Sequence, residues 1–367
     1  MISSKQKRKI QGVLFYTLGV TFLGLIYALL EAGLLGDANV YPSTQNPYST
    51  RDSVIGISLG TFILGFFIGY LEMYLFDRLF IRANFGLKVL AKGLMYVLGT
   101  AVLLIILGWV VAVVKYQVPF YDPIALSNVA AFTYNFVFLT ILIYASIGII
   151  LLIFIKAMSD SLGSGTLLNF VTGRYHQPQI EDRIFMFLDM YDSTPIAESI
   201  GHVRYFQLLN DCFSDMTDAI LDNGGEIYQY VGDEVVITWP IGIGLDQANY
   251  LKCFFEIKEV LISKSNYYDE LYGVTPGFKA GVHHGDVTAG ELGVVKKQVM
   301  FSGDVLNTTA RLRDLCKTHQ AELIVSQGLI EMTPLQDRYT IQSYGQNELR
   351  GKSEEISAVG VLEMAAR

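Results

Sequence analysis

The segment Ile184-Phe-Met-Phe-Leu-Asp189 is a short apolar run that ends in a carboxylate, and it decides the interpretation of the C-terminal half. A bounded apolar run of this length is typical of a buried strand. Farther along, Gly232-Asp233 separates two more predicted strands, Glu226–Val231 and Glu234–Trp239, and a Gly-Asp pair between strands predicts a tight hairpin. If that hairpin lies beside the first strand, Asp189 and Asp233 converge at one edge of a sheet.

Two converging carboxylates are a candidate site for Mg²⁺. This ion prefers oxygen ligands, keeps several of its waters, and is commonly held by one or two carboxylates together with substrate phosphates. Composition alone leaves a second interpretation open, in which Gly232-Asp233 is an ordinary turn with a solvated carboxylate.

The residues around these strands predict an α+β domain over 181–367, because short apolar strands alternate with amphipathic helices. A helix is expected across Ile196–Asn223, and Gly224-Gly225 should end it. Polar and glycine-rich residues over 157–180 predict a linker between this domain and the N-terminal half.

The N-terminal half, residues 1–156, is predicted to be an α-helical membrane domain. Hydrophobic residues make up 51% of the 367-residue chain and charged residues 17%, whereas about a quarter of a soluble protein is charged. Four apolar stretches each exceed the roughly 20 helical residues needed to cross a bilayer. A cleaved signal peptide is a poor interpretation of the first stretch, because three more follow it. We expect the four transmembrane helices at Val13–Leu35, Val54–Phe76, Val89–Val114 and Ala130–Ile155.

The distribution of basic residues predicts the orientation in the membrane. The loops at 37–52 and 115–128 hold one basic residue each, whereas the N-terminal tail and the second loop hold four each. Because basic loops stay in the cytoplasm, the N-terminus and the C-terminal domain are expected to be cytoplasmic, with the chain in an inner or plasma membrane. The basic residues that decide this are Lys5, Lys7, Arg8, Lys9, Arg78, Arg82, Lys88 and Lys92.

Two carboxylates, Glu31 and Glu72, lie near the ends of predicted spans. A carboxylate inside a membrane is by default a candidate functional group. Solvation at the membrane interface is the alternative interpretation of both residues.

Four motifs occur in order along the C-terminal half. Together they resemble the catalytic domain of the class III adenylate and guanylate cyclases, and the stretch Gly225–Asp233 is especially similar to the bacterial members with four membrane spans. The resemblance covers residues 181–363 and implies a ferredoxin-like βαββαβ core. The motifs are Phe187-Leu-Asp189-Met-Tyr-Asp-Ser193-Thr194, Tyr230-Val-Gly-Asp233-Glu, Gly281-Val-His-His-Gly285 and Gly303-Asp-Val-Leu-Asn307-Thr-Thr-Ala-Arg311.

The resemblance assigns roles to residues of these motifs. Asp189 and Asp233 match the family's two metal-binding aspartates, which implies two Mg²⁺ or Mn²⁺ ions per site. Asn307 matches the asparagine that orients the ribose. Arg311 matches the arginine that stabilises charge on the α-phosphate, and a planar, permanently charged guanidinium suits that task. Asn307 and Arg311 are four residues apart and so share a helix face, whereas Arg313 is interpreted as a solvated surface residue.

In the resembled family the site forms between two catalytic domains, one giving the aspartates and the other the asparagine and arginine. This chain carries both sets in one domain, so a head-to-tail homodimer with two equivalent sites is implied. The segment with Met190, Ser193 and Thr194 should present main-chain N–H groups to the triphosphate at a helix start, provided that Asp192 points away. Lys352 matches the family's late lysine for the terminal phosphates.

The choice of base departs from the family pattern. Gln229, four residues before Asp233, stands where adenylate cyclases usually have Lys and guanylate cyclases Glu. Met300, seven residues before Asn307, stands where adenylate cyclases usually have Asp or Thr and guanylate cyclases usually have Cys or a similar small residue. A glutamine amide both donates and accepts hydrogen bonds, whereas methionine offers little hydrogen-bond specificity. ATP is the expected substrate, and GTP or a pyrimidine nucleotide stays open as an alternative.

Other functional classes fit the sequence less well. A formal net charge of -8 argues against a nucleic-acid partner, and the three cysteines form no Cys-x-x-Cys pattern. Gly345 and Gly351 have five residues between them where a P-loop needs four. His283 and His284 are adjacent in a predicted strand, so we expect one packed inside and one exposed rather than a metal-binding pair. A membrane receptor that binds nucleotide without turnover is the alternative from another class.

Overall fold

The computed structural model describes residues 4–41, 48–76, 85–162, 169, 172–295, 297–335, 338–347 and 355–364. They form two compact units, Gln6–Ser161 and Leu162–Arg367. The first unit is helical, and the second combines a mixed sheet with helices.

Four helices of the first unit are long and apolar enough to cross a membrane, as predicted, and their candidate spans are Gln6–Leu35, Thr50–Phe76, Gly86–Tyr116 and Phe136–Asp160. A shorter apolar helix precedes the fourth. The helices of this unit are α1 (Ser4–Leu35), α2 (Thr50–Leu71), α3 (Phe85–Tyr116), α4 (Pro123–Thr133) and α5 (Phe136–Leu162), and a π-helical turn, Glu72–Phe76, continues α2.

The predicted start of the fourth span at Ala130 is wrong. Ala130 belongs to α4, which ends at Thr133, and α5 begins three residues later. The break has a local cause, because the side chain of Asn135 accepts a hydrogen bond from the main-chain N–H of Val137 at 3.0 Å. Asparagine commonly caps helix starts in this way.

Glu72 is buried in the helical unit, with 4% of its surface exposed, so solvation at the interface does not describe it. Its carboxylate forms an ion pair with Lys92 of α3 and accepts a hydrogen bond from the Tyr96 hydroxyl at 2.8 Å. The π-helical turn begins at this residue, and such turns are frequent at functional positions.

We predict that Glu72→Ala and Lys92→Met each destabilise the helical unit by about 3–5 kcal/mol, because each leaves a buried charge without its counter-ion. The double variant Glu72→Leu/Lys92→Met should recover most of the loss, since no buried charge is then left uncompensated. Thermal unfolding in detergent measures all three. Single variants that unfold like the wild type would contradict the prediction.

The second unit is built on one sheet that has eight strands among the described residues. The strand order is β2-β3-β1-β4-β6-β8-β7, and β5 pairs with β4. The strands are β1 (Gln179–Met190), β2 (Glu226–Val231), β3 (Glu234–Pro240), β4 (Phe278–Leu292), β5 (Gln298–Ser302), β6 (Leu323–Ser326), β7 (Tyr339–Asn347) and β8 (Ile356–Glu363).

The first four strands and the helices between them form the predicted ferredoxin-like core. Their spatial order β2-β3-β1-β4 is antiparallel throughout, and the βαββαβ chain order of that fold is preserved. The helices of this unit are α6 (Ser193–Ile200), α7 (His202–Asp222), α8 (Ile241–Leu245), α9 (Asn249–Ser263), α10 (Ser265–Tyr272), α11 (Asp304–His319) and α12 (Gln327–Met332), and a 3₁₀ turn (Asp246–Ala248) follows α8.

The single helix predicted across Ile196–Asn223 is wrong, because the chain forms two helices that meet at Gly201. Gly201 has φ +81° and ψ 153°, a conformation that interrupts the helix and that glycine adopts without strain. The second helix, α7, then buries an apolar face that includes Leu208, Cys212 and Met216.

Alternate residues of β1 face two different layers. Ile184, Met186 and Leu188 pack in a core with α7 and α9, whereas Phe185 and Phe187 pack on the opposite face with residues of β5 and α11. Because side chains alternate along a strand, Asp189 lies on the same face as Phe187, the face that α11 covers.

Candidate active site

Asp189 stands near the end of β1, in the middle of a row of charged residues. Its main-chain partners are Glu234 on β3 and Lys279 on β4. The Lys279 ammonium nitrogen lies 3.2 Å from Asp189 Oδ2. Asp233 occupies the β2–β3 turn after Gly232, which has φ +65°. The structure therefore brings the two predicted aspartates to one edge of the sheet, within electrostatic range of each other.

The electrostatics of this edge favour a cation. Burial raises the pKa of Asp189 above its ordinary value, and the negative charge of Asp233 adds to that rise, against the opposing effects of Lys279 and Arg313. Burial also raises the pKa of Glu234, and the positive charge of Arg313 opposes this rise. When half-buried carboxylates lie beside one another, a cation that binds between them stabilises their charged form.

The two aspartates suit Mg²⁺ or Mn²⁺ in the chemistry of their donor atoms. Among the described residues, no group of three or more His, Cys, Asp or Glu side chains has an arrangement that could hold a metal ion. Two carboxylates nevertheless suffice for an ion that takes its remaining ligands from water and substrate phosphates. Asp189 and Asp233 are the residues that would hold it.

Arg313 is a site residue that sequence reasoning misjudged, since it is not a solvated surface arginine. It is half-buried, forms an ion pair with Glu234, and bonds Asp314 Oδ1 at 2.7 Å. Glu234 and Lys279 were missed as well. Their position beside Asp189 follows from the strand register, and the register is the signal that identifies them once β1 is aligned with β3 and β4.

The segment after Asp189 begins helix α6. Met190 is only 2% exposed and packs in the core, so it can contact a ligand only through its main chain. Asp192 is exposed and makes no side-chain capping bond. The main-chain N–H groups of Ser193 and Thr194 lie in the first turn of α6. N–H groups in the first turn of a helix have no intrahelical hydrogen-bond partner.

Tyr205 of α7 adds a hydroxyl to this segment that sequence reasoning did not identify. Its hydroxyl lies close to the side chain of Ser193 and within electrostatic range of Asp233 and Asp189. Burial raises the pKa of Tyr205, and both aspartates add to the rise. The hydroxyl is therefore held protonated beside the start of α6, where it can donate a hydrogen bond.

Asn307 and Arg311 lie on α11, away from these carboxylates. Asn307 is exposed, and Arg311 is half-buried with its Nη1 atom shielded from solvent and without a hydrogen-bond partner. Residues two apart in a helix differ by about 200° around its axis, so Arg311 and Arg313 point to opposite sides of α11. Among the described residues, no hydrogen bond or ion pair joins Asn307 or Arg311 to Asp189 or Asp233.

The position of α11 depends on Gly281 of β4. A Cβ atom at this residue would lie 2.2 Å from the Arg313 main-chain nitrogen and 2.5 Å from the Thr309 carbonyl oxygen. Only a glycine lets the helix backbone approach the strand so closely. The motif Gly281-Val-His-His-Gly285 thus sets the position of the helix that carries Asn307 and Arg311.

We predict that Gly281→Ala destabilises the C-terminal unit by about 1–3 kcal/mol, because the backbone of α11 must move to admit the methyl group. Gly328→Ala in α12 is the matched control, since no atom lies within 4 Å of its added Cβ. Denaturant unfolding of both variants measures the difference. Equal stability of the two would contradict the close approach of α11 to β4.

The residues predicted to read the base are on two different strands. Gln229 is exposed on β2, pairs with Val236, and follows a β-bulge. Because Val236 shares the face of β3 that carries Glu234, Gln229 projects from the same face as Asp189. Met300 is half-buried on β5, opposite Gly290 of β4. The predicted phosphate lysine, Lys352, lies outside the described residues.

The expectation of one buried and one exposed histidine is wrong, because His283 and His284 are both half-buried. They do point in different directions. His283 Nδ1 is 2.8 Å from the Ser326 hydroxyl on β6, whereas His284 Nδ1 is 3.6 Å from Asp182 on β1. Each histidine thus packs against a neighbouring strand.

Comparison with known proteins identifies the catalytic domain. The family model for the adenylate and guanylate cyclase catalytic domain matches residues 176–359, half of the chain. Adenylate cyclase 2 of Rhizobium meliloti (strain 1021) is 33% identical over 223 residues, 61% of this chain and 61% of that relative. Guanylate cyclase D of Mus musculus is 26% identical over 188 residues, 49% of this chain and 16% of the relative.

Solved structures show weaker similarity. A bacterial light-regulated adenylyl cyclase aligns with a TM-score of 0.49 at 20% identity, over 56% of this chain and 60% of that one. An adenylyl cyclase from P. aeruginosa aligns with a TM-score of 0.43 at 18% identity, over 52% of this chain and 97% of that one. The assignment rests on the sequence match, which spans less than two thirds of the length of the curated relatives.

Proposed function

The chain belongs to the adenylate and guanylate cyclase family, and we propose that it is a membrane-anchored adenylate cyclase that converts ATP to 3′,5′-cyclic AMP and pyrophosphate. The observation that carries the proposal is the pairing of Asp189 and Asp233 at one sheet edge. The shielded, unpartnered Nη1 of Arg311 on α11 supports it, because that atom has a donor to offer an anionic ligand.

The proposed reaction is attack of the ribose 3′-oxygen on the α-phosphorus, with pyrophosphate leaving. A pair of Mg²⁺ or Mn²⁺ ions, when bound, would activate the attacking hydroxyl and neutralise the leaving pyrophosphate. Asp189 and Asp233 would hold that positive charge at the sheet edge. Asn307 orients the ribose, and the Arg311 guanidinium stabilises charge that develops on the α-phosphate oxygens.

The polyphosphate would lie at the start of α6, where the helix dipole and free N–H groups favour anions. Ser193 and Thr194 supply these N–H groups, and the Tyr205 hydroxyl lies beside the Ser193 side chain. Lys279, already paired with Asp189, supplies further positive charge at the same edge.

We further propose that the active enzyme is a head-to-tail homodimer. The carboxylates face Arg313 on one side of α11, whereas Arg311 faces away from them. A second copy is the simplest source of an arginine for each pair of aspartates, and a two-fold axis would generate two equivalent sites. The apolar helices would hold the two copies in one bilayer and raise their effective concentration.

ATP is the proposed substrate because the relative with 33% identity is an adenylate cyclase, whereas the guanylate cyclase named above is 26% identical. Gln229 and Met300 would face the base, and the Gln229 amide can both donate to and accept from an adenine edge. The catalytic domain and the N-terminus would be cytoplasmic, as the basic residues of the tail and second loop favour.

The test is incubation of the purified full-length protein with ATP, GTP, CTP and UTP separately, with Mn²⁺ present and products identified by mass. The expected result is cyclic AMP from ATP in excess over any other cyclic nucleotide. No cyclic product from any of the four would overturn the enzyme assignment and leave a nucleotide-binding receptor. A guanosine or pyrimidine product would overturn only the choice of base.

A further inference from the structure

The helical unit contains a cluster of tyrosines around Glu31, at the loop-facing end of the first span. Glu31 lies one turn before the end of α1 at Leu35. Ser53 of α2 donates a hydrogen bond to Glu31 Oε2 at 2.5 Å, and the Tyr41 hydroxyl lies 3.3 Å from the same oxygen. Neither bond neutralises the carboxylate, because both donors are uncharged.

Four tyrosine rings form two pairs, and one ring of each pair, Tyr41 in the first and Tyr27 in the second, lies near this carboxylate. The Tyr41 and Tyr48 rings meet edge to face, with centroids 5.0 Å apart. The Tyr27 and Tyr144 rings lie 5.5 Å apart, and Tyr27 is one helical turn before Glu31 and thus on the same helix face. Tyr27 also lies within electrostatic range of both Glu31 and Tyr41. The six residues, which we call the tyrosine cluster, are Tyr27, Glu31, Tyr41, Tyr48, Ser53 and Tyr144.

The cluster has unused hydrogen-bonding capacity. Tyr48 is 7% exposed, and its shielded hydroxyl has no hydrogen-bond partner. Glu31 Oε1 accepts no hydrogen bond from the described part of the chain, and no basic side chain there pairs with Glu31. A shielded hydroxyl without a partner is costly to leave unsatisfied, and Tyr48 therefore has a polar atom to offer a ligand.

Three features of the cluster favour a positively charged ligand. Glu31 supplies a full negative charge. The C-terminal end of α1 adds the negative end of a helix dipole within one turn of it. The faces of tyrosine rings attract cations, most strongly where water is excluded.

The chemistry further favours an organic cation over a metal ion. Ca²⁺ takes 6–8 oxygen ligands and Mg²⁺ demands octahedral geometry, whereas the cluster offers one carboxylate and a few hydroxyls. Aromatic rings around a single carboxylate are instead suited to alkylammonium groups, whose CH surface packs on the rings. We propose that the tyrosine cluster is a binding site for a small organic ammonium ion.

The site would face the side of the membrane opposite the end of α5. If each of the four spans crosses once, the loop after α1 and the end of the fourth span lie on opposite sides. A ligand would therefore reach the cluster from outside the compartment that holds the nucleotide. Binding at the cluster does not depend on the proposed cyclase reaction, so either proposal can fail without the other.

The test uses the full-length protein in nanodiscs, titrated with tetramethylammonium chloride and, at equal ionic strength, with sodium chloride and calcium chloride. Calorimetry and the thermal unfolding midpoint are the readouts. We expect saturable binding of tetramethylammonium that raises the midpoint, and at least about tenfold weaker binding to Glu31→Gln. Asp37→Asn, an exposed carboxylate in the same loop, should bind like the wild type.

Two further variants keep the test independent of folding. Tyr41→Phe retains the ring and should retain binding, whereas Tyr27→Leu removes a ring and should weaken binding while Glu31 stays in place. Wild-type protein that shows no response to tetramethylammonium beyond that to sodium would overturn the proposal. Saturable binding of calcium alone, lost in Glu31→Gln, would overturn it in favour of a carboxylate metal site.

Discussion

Replacement of Asp233 by alanine is expected to lower the rate of cyclic nucleotide formation by at least about a thousandfold. The change removes one of the two carboxylates that would hold the divalent ions, and such ions contribute several kcal/mol of transition-state stabilisation. The fold should survive, because Asp233 lies in a turn at the tip of the β2–β3 hairpin and is not part of the core. Initial rates with saturating ATP and Mn²⁺ measure the loss.

Glu198→Gln is the matched control for Asp233→Ala. Glu198 is an exposed carboxylate on α6, outside the sheet edge that carries the aspartates. It should retain the wild-type rate. A rate for Asp233→Ala within tenfold of the wild type, with the control unchanged, would show that this carboxylate does not hold a catalytic ion.

Replacement of Arg311 by alanine should lower kcat by about a thousandfold or more while nucleotide binding weakens far less. An arginine that stabilises charge on a phosphoryl group in the transition state contributes this much in phosphoryl transfer, and an interaction made chiefly in the transition state affects kcat more than substrate binding. Arg311→Lys should recover only part of the rate, since an ammonium cannot match two phosphate oxygens at once.

Lys317→Ala is the control for the Arg311 variants, because Lys317 is an exposed basic residue on the same helix. Its kcat should stay at the wild-type value. If Arg311→Ala instead raised KM and left kcat unchanged, the arginine would bind the ground state and would have no special role in the transition state.

Most of the fold follows from local signals in the sequence. The β2–β3 hairpin and the placement of Asp189 near the end of β1 were predictable because apolar runs and a Gly-Asp turn are properties of consecutive residues. The break at Gly201 was not, because the apolar periodicity continues across it and only the φ of one residue interrupts the helix. The start of α5 was missed for a similar reason, since Asn135 caps it within an apolar stretch.

The site was less accessible to sequence reasoning where it depends on strand register. Asp189 and Asp233 carried recognisable motifs. Lys279 and Glu234 did not, because their place beside Asp189 depends on how three strands align. The role of Arg313 depended on the rotation of α11, which Gly281 fixes through a contact between two backbones. The burial of Glu72 with Lys92 likewise depends on the packing of separate helices.

The central claim is that each catalytic site takes its aspartates from one copy of the chain and its arginine from another. Asp233→Ala and Arg311→Ala chains carrying different affinity tags can be co-expressed, and the mixed dimer isolated by two successive purifications. Each parent alone should be inactive, whereas the mixed dimer has one intact site of two and should regain about half of the wild-type rate. A mixed dimer as inactive as its parents, or the failure of the two chains to co-purify, would contradict the shared site.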